Sequence, residues 1–154
     1  MQRAPENNFV IRVYGIAVNE KKEVLISDEF MLDTKMIKFP GGGLEYGEGT
    51  IECLKREAIE EFGQEIEITG HFYTTDYFQP ALYYKDTQLI SIYYRMRFIE
   101  PVKFKISLKP FDFEVLKNGN QSFRWLKIEE LNPSELTFPI DRRVARLLKE
   151  KFTR

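Results

Sequence analysis

The sequence predicts a single α/β domain with a mostly β middle and two main helices. Runs of β-branched and aromatic residues alternate with polar turns over most of the chain, the signature of strands. Glycine is concentrated between positions 41 and 63. The C-terminal stretch carries apolar residues at 140, 144, 147, 148 and 152, a helical period. A length of 154 residues suits one domain with a sizeable core. With 43% hydrophobic and 31% charged residues, collagen-like, disordered and disulfide-built chains are excluded.

The first elements follow from local composition. Phe9 to Val18, the polar turn Asn19-Glu20-Lys21-Lys22 and Val24-Leu25-Ile26 read as a hairpin. A short strand from Met36 to Phe39 stops at Pro40. Thr50 to Phe62 is the clearest helix, with Thr50 as N-cap and Gly63 as its stop. Its expected buried face is Ile51, Leu54, Ala58 and Phe62. Glu65 to Phe78 and Gln88 to Phe98 follow as long strands, joined by a loop containing Pro80. Val102 to Phe113 is extended and interrupted by Pro110, and Gln121 to Ile128 makes one more strand. Ile140 to Phe152 closes the chain as a helix.

Charge and cysteine content narrow the function. The 23 Lys+Arg against 24 Asp+Glu leave a formal net charge of −1, whereas a nucleic-acid polymer binder carries a basic excess. No nucleic-acid polymer is expected as partner. Cys53 and His71 are alone of their kind, so neither an internal disulfide nor a Cys/His zinc cluster can form. The start has no apolar signal region and no run approaches the roughly 18 residues of a membrane span, so a cytoplasmic protein without membrane association is expected. The domain is expected over residues 8–152, with residues 1–7 as a short tail.

Glu57, Glu60 and Glu61 fall within about 100° of one another on a helical wheel, beside the apolar stripe. Neighbouring carboxylates repel. A hard divalent cation removes that conflict, since Mg²⁺ and Mn²⁺ take oxygen ligands from carboxylates and phosphates. From the triple alone, a metal site and a solvated acidic face both remain open.

The segment before the helix joins them. Gly41-Gly42-Gly43 leads through Glu48 and Gly49 into the helix, reading Gly42, five residues, Glu48, seven residues, then Arg56-Glu57-Ala58-Ile59-Glu60-Glu61-Phe62-Gly63. This resembles the Nudix signature, G-x5-E-x7-R-E-U-x-E-E-x-G-U, with U aliphatic. Every charged and glycine position is filled; Ala58 is a small first U, and polar Gln64 stands at the second. The departures touch packing more than chemistry.

The resemblance implies an α/β/α sandwich with a mixed β-sheet between helices. It also implies hydrolysis, with Mg²⁺ or Mn²⁺, of a phosphoanhydride bond in a nucleoside diphosphate linked to another group. Glu57, Glu60 and Glu61 would be metal ligands, with Glu60 or Glu61 also handling the attacking water. The carbonyl of Gly41 or Gly42 would be a further ligand, and Arg56 would pair with Glu48 or Glu60 to hold loop against helix. Family members often add a distant carboxylate; here the nearest are Asp112 and Glu114. A small nucleotide is the implied partner, and a homodimer is compatible with the resemblance.

Aromatic residues could stack a nucleobase. Tyr83 and Tyr84 sit in an inter-strand loop, where binding residues concentrate, and Phe138-Pro139 precedes the last helix. Pro80 lies 16 residues after Gln64, near the placement that accompanies ADP-ribose hydrolysis in one branch of the family. An ADP-ribose-like substrate is therefore placed slightly ahead of a nucleoside triphosphate. The alternative class is a Nudix-fold module that binds a nucleotide without cleaving it.

Overall fold

A computed structural model describes residues 8–152; the expected tail, residues 1–7, lies outside the described residues. Seven strands and two α-helices follow in the order β1 (Asn8–Ile16), β2 (Glu23–Met31), β3 (Thr34–Lys38), β4 (Gly41–Gly43), α1 (Thr50–Phe62), β5 (Ile66–Thr74), β6 (Thr87–Phe98), β7 (Gln121–Lys127) and α2 (Pro139–Phe152). The strands form a mixed sheet ordered β4-β1-β6-β5, in which β1 and β6 run parallel, and an antiparallel sheet ordered β3-β2-β7.

Strand alternation divides the core into two layers. Val13 and Leu25 pack with Cys53, Leu54, Ala58 and Phe62 of α1, whereas Tyr14, Ile16, Val24 and Ile26 pack with Ile140, Val144, Ala145 and Leu148 of α2. Each helix covers one side of the strands, giving the α/β/α sandwich. No helix among the described residues is long and apolar enough to cross a membrane.

Four local expectations are corrected. The expected hairpin exists only at its tip, where the Asn19 side chain accepts from the Lys21 and Glu23 N–H groups and Val18 bridges Val24. Beyond it the strands part, because β1 pairs with β4 and β6 while β2 pairs with β3 and β7. Gly49, not Thr50, is the N-cap of α1; the Thr50 hydroxyl instead shares a 2.6 Å hydrogen bond with that of Tyr94. Ile51 is exposed and Cys53 takes its place in the core, since α1 turns its Cys53 edge toward β4. Finally, residues 102–113 form no strand, although the Ser107 N–H donates to the Phe123 carbonyl at 2.7 Å. Pro110 and the left-handed Phe111 break the extended run.

Phe104 from that segment still enters the α1 layer. The Phe62 ring lies 5.2 Å from Phe98 and 4.6 Å from both Phe104 and Phe123. Truncating Phe62 empties the centre of this cluster. Phe62→Ala is expected to cost about 3–5 kcal/mol of folding free energy. Urea unfolding measures it, and an unchanged midpoint would contradict the packing described.

Candidate active site

Gly42 enters β4 opposite Val13, and a Cβ there would overlap the Glu57 carboxylate. Only glycine lets the loop backbone lie against that acid. Gly43 lies opposite Arg12 in the same ladder. The loop then turns into α1, whose first residue is Thr50.

Arg56 binds loop and helix together. Its Nε and Nη2 donate to the two Glu48 carboxylate oxygens at 2.9 and 2.7 Å, a forked pair. Nη2 also donates to the Gly43 carbonyl at 3.1 Å. Nη1 donates to Glu57 at 3.0 Å and to Glu60 at 3.3 and 3.2 Å. Glu48 additionally accepts from the Glu45 N–H at 2.8 Å. Hydrogen bonds from Arg56 and from the Glu45 backbone hold the Glu48 carboxyl at about 2, below its ordinary 4.5.

Glu57 and Glu61, with Gly41, line one small void between α1 and the start of β4. Glu60 points outward and meets Arg56 instead. Among the described residues no three acidic side chains converge as a ready metal cage. Arg56 accounts for this, since it draws Glu57 and Glu60 to its own nitrogens. Two features nevertheless fit a cation: the glycine cradle against Glu57, and the Glu61 Oε2 atom, buried without a partner. Burial pushes the Glu61 carboxyl up to about 7, with nearby Lys38 opposing the rise. Its Oε1 accepts weakly from Gln121 at 3.4 Å.

A cavity of about 350 Å³ opens among β1, β2, β3, β6 and the start of α2. Tyr83 and Tyr84 line it with the rest of the 79–84 loop except Pro80, and Phe138 lines it from just before α2. Pro80 instead bridges Gln88, fixing the loop to β6. Asp112 is paired with Lys105 at 3.2 Å and Lys109 at 3.8 Å. Neither it nor Glu114 borders the void or the cavity. Cys53 is buried, and burial pushes its thiol up to about 12, leaving it protonated at neutral pH.

Several cavity residues carried no sequence signal. Lys38, between Ile37 and Phe39, is buried and ion-paired with Glu29 at 3.2 Å. Asp141 is buried, accepts from the Tyr93 hydroxyl at 2.5 Å, and leaves Oδ2 without a partner. Arg12 donates through Nε to the Tyr14 hydroxyl at 2.6 Å. Only tertiary pairing brings these residues from β1, β2, β3, β6 and α2 to one place. A charged residue inside an apolar strand run was the one available hint.

A glycine strand packed on an acidic helix, beside an aromatic cavity in an α/β/α sandwich, places the chain among sandwich-fold hydrolases. Residues 9–148 match the NUDIX domain, so the chain belongs to the Nudix family of pyrophosphohydrolases. Among solved structures it is similar to the E. coli ORF135 protein, at 15% identity and a TM-score of 0.72, covering 99% of this chain and 98% of that one. It is also similar to a MutT from a study of Aliivibrio salmonicida and Vibrio cholerae, at 21% identity and a TM-score of 0.63, covering 94% and 100%. A UDP-X diphosphatase aligns at 14% identity and a TM-score of 0.61, covering 96% of this chain and 66% of that one. No curated protein sequence gives a significant match.

The Glu48 pairing has a pH signature. Its folded-state value lies below the ordinary 4.5, so its stabilisation is complete above that value and is lost as pH falls toward 2. Glu48→Gln should therefore show a shallower loss of melting temperature than the parent between about pH 5 and pH 3. Parallel acid-side slopes in a melting series would contradict the pairing.

Proposed function

We propose that the chain hydrolyses a phosphoanhydride bond in a nucleoside diphosphate linked to another group, using Mg²⁺ or Mn²⁺. The observation that carries this is the buried, unpartnered Glu61 Oε2, set beside Glu57 and Gly41 and facing Lys38, which lines the aromatic cavity. Glu57, Glu60 and Glu61, with the Gly41 carbonyl, would hold the metal. Such an ion neutralises the diphosphate and makes water more acidic.

The chain's own residues supply the rest. The oxygen of a water bonds to one phosphorus, the bridging P–O bond breaks, and its electron pair leaves on the bridging oxygen. The water's proton passes to Glu60 or Glu61, which act as base. Arg56 and Glu48 position the loop and take no part in bond breaking. Tyr83, Tyr84 and Phe138 would stack the base, with the cavity excluding water from it.

For the group beyond the diphosphate, a sugar of the ADP-ribose type is placed slightly ahead of a nucleoside triphosphate. Pro80 supports this by fixing the 79–84 loop along the cavity through its bridge to Gln88. The near-neutral chain is read as a cytoplasmic enzyme of small nucleotides. A second reading, binding without cleavage, draws on the hold of Arg56 over Glu57 and Glu60.

Phosphate release from a nucleotide panel separates the two. Activity should need Mg²⁺ or Mn²⁺, stop in excess chelator, and fall about 10²-fold or more in kcat for Glu61→Gln. Activity unaffected by chelator and by Glu61→Gln would contradict the proposal. Within the panel, kcat/KM should favour ADP-ribose over triphosphates; a tenfold preference for a triphosphate, about 1.4 kcal/mol, would leave Pro80 as a turn residue only.

A further inference from the structure

The two cations of the cavity are arranged around one ring. The Arg12 guanidinium lies 5.6 Å from the Tyr14 ring centroid and the Lys38 ammonium 5.9 Å from it. Like charges this close, in a partly buried site, repel. Lys38 is offset by Glu29 at 3.2 Å. Arg12 has no carboxylate within ion-pair distance among the described residues, and its one hydrogen bond runs from Nε to the Tyr14 hydroxyl.

Among the described residues that bond leaves both terminal nitrogens of Arg12 without a partner, and it restrains the plane of the guanidinium. A pinned fork with two open donors is complementary to a phosphate. Its position agrees. Arg12 lies opposite Gly43 in the β1–β4 ladder, next to the loop that cradles Glu57, and it also lines the aromatic cavity. Lys38 lines the same cavity from β3. The cations thus stand between the acids of α1 and the aromatic wall. In a nucleotide, the phosphate that stays on the nucleoside occupies that position, between base and scissile bond.

We propose that Arg12 and Lys38 form a metal-independent site for the phosphate borne by the nucleoside, so that the nucleoside monophosphate product remains bound after cleavage. This rests on the reading that the cavity takes a nucleotide. It goes beyond that reading in assigning two residues to one phosphate and in making the product an inhibitor. Lys38 gives up part of its contact with Glu29 to reach the anion, whereas Arg12 gives up nothing. Arg12 therefore contributes the larger share.

The test is calorimetric titration of the whole chain, in excess chelator, with the four nucleoside 5′-monophosphates and their four nucleosides. At least one monophosphate should bind about tenfold or more tightly than its own nucleoside, and added salt should reduce that advantage. Arg12→Met should abolish the advantage while leaving the nucleoside's affinity in place. The pair Glu29→Gln with Lys38→Met, which removes Lys38 together with its ion-pair partner, should reduce it less. Should Arg12→Met fail to fold, the double variant and the salt series on the parent decide. Equal binding of monophosphate and nucleoside, or an advantage that survives Arg12→Met or ignores salt, would overturn the proposal. A retained monophosphate advantage with no metal-dependent hydrolysis would refute the hydrolytic reading and leave this site standing. Hydrolysis without that advantage would do the reverse.

Discussion

The Arg56 guanidinium distributes its donors among Glu48, Glu57, Glu60 and the Gly43 carbonyl, and so ties the glycine-rich loop to the helix that follows it. Three carboxylates on a loop and a single turn of helix would otherwise repel. A forked, permanently charged donor at their centre converts that repulsion into a fixed geometry. Lysine could offset the charge but could not present the same planar fork. The arrangement also explains why Glu57 and Glu60 lean toward Arg56 while Glu61 faces inward, toward Lys38 and Gln121.

The inward side depends on the division of the core. Because β1 sends Val13 toward α1 and Tyr14 toward α2, the strand carries the packing of both layers, and Arg12 meets the cavity near its edge. Lys38 does the same from β3. Burial works to lower the Lys38 ammonium, but Glu61 and Glu29 hold it above its usual value. The cavity floor therefore carries one compensated charge, Lys38 with Glu29, and one cation, Arg12, held only by the Tyr14 hydroxyl among the described residues. A purely apolar pocket would take a nucleobase but offer nothing to a phosphate.

Much of this was legible in the sequence because the chemistry is local there. The helix of the motif spans a few consecutive turns, so spacing predicts that Arg56, Glu57, Glu60 and Glu61 lie near one another, and the resemblance to the Nudix signature adds Glu48. The strands showed in their β-branched and aromatic runs. What escaped depends on distant pairing. Beyond its place in an apolar run, nothing in Met36-Ile37-Lys38-Phe39 marks Lys38 as buried, since its partner Glu29 comes from the neighbouring strand. Asp141 looks like an ordinary first-turn acid of α2 until Tyr93, on β6, is seen against it. The split of the first hairpin into two sheets has the same origin: the turn is local, but the competition of β4, β6 and β7 for its strands is not.

The central claim is that α1 and its glycine loop form a site for a divalent cation that Glu57 and Glu61 share. Mn²⁺ is its own spectroscopic probe, so electron paramagnetic resonance of free Mn²⁺ during a titration counts the bound ions without reference to any substrate. The account predicts saturable binding by the parent chain, weakened about tenfold or more in Glu57→Gln and in Glu61→Gln while both variants melt like the parent. Binding of equal strength in the parent and in both variants would contradict it.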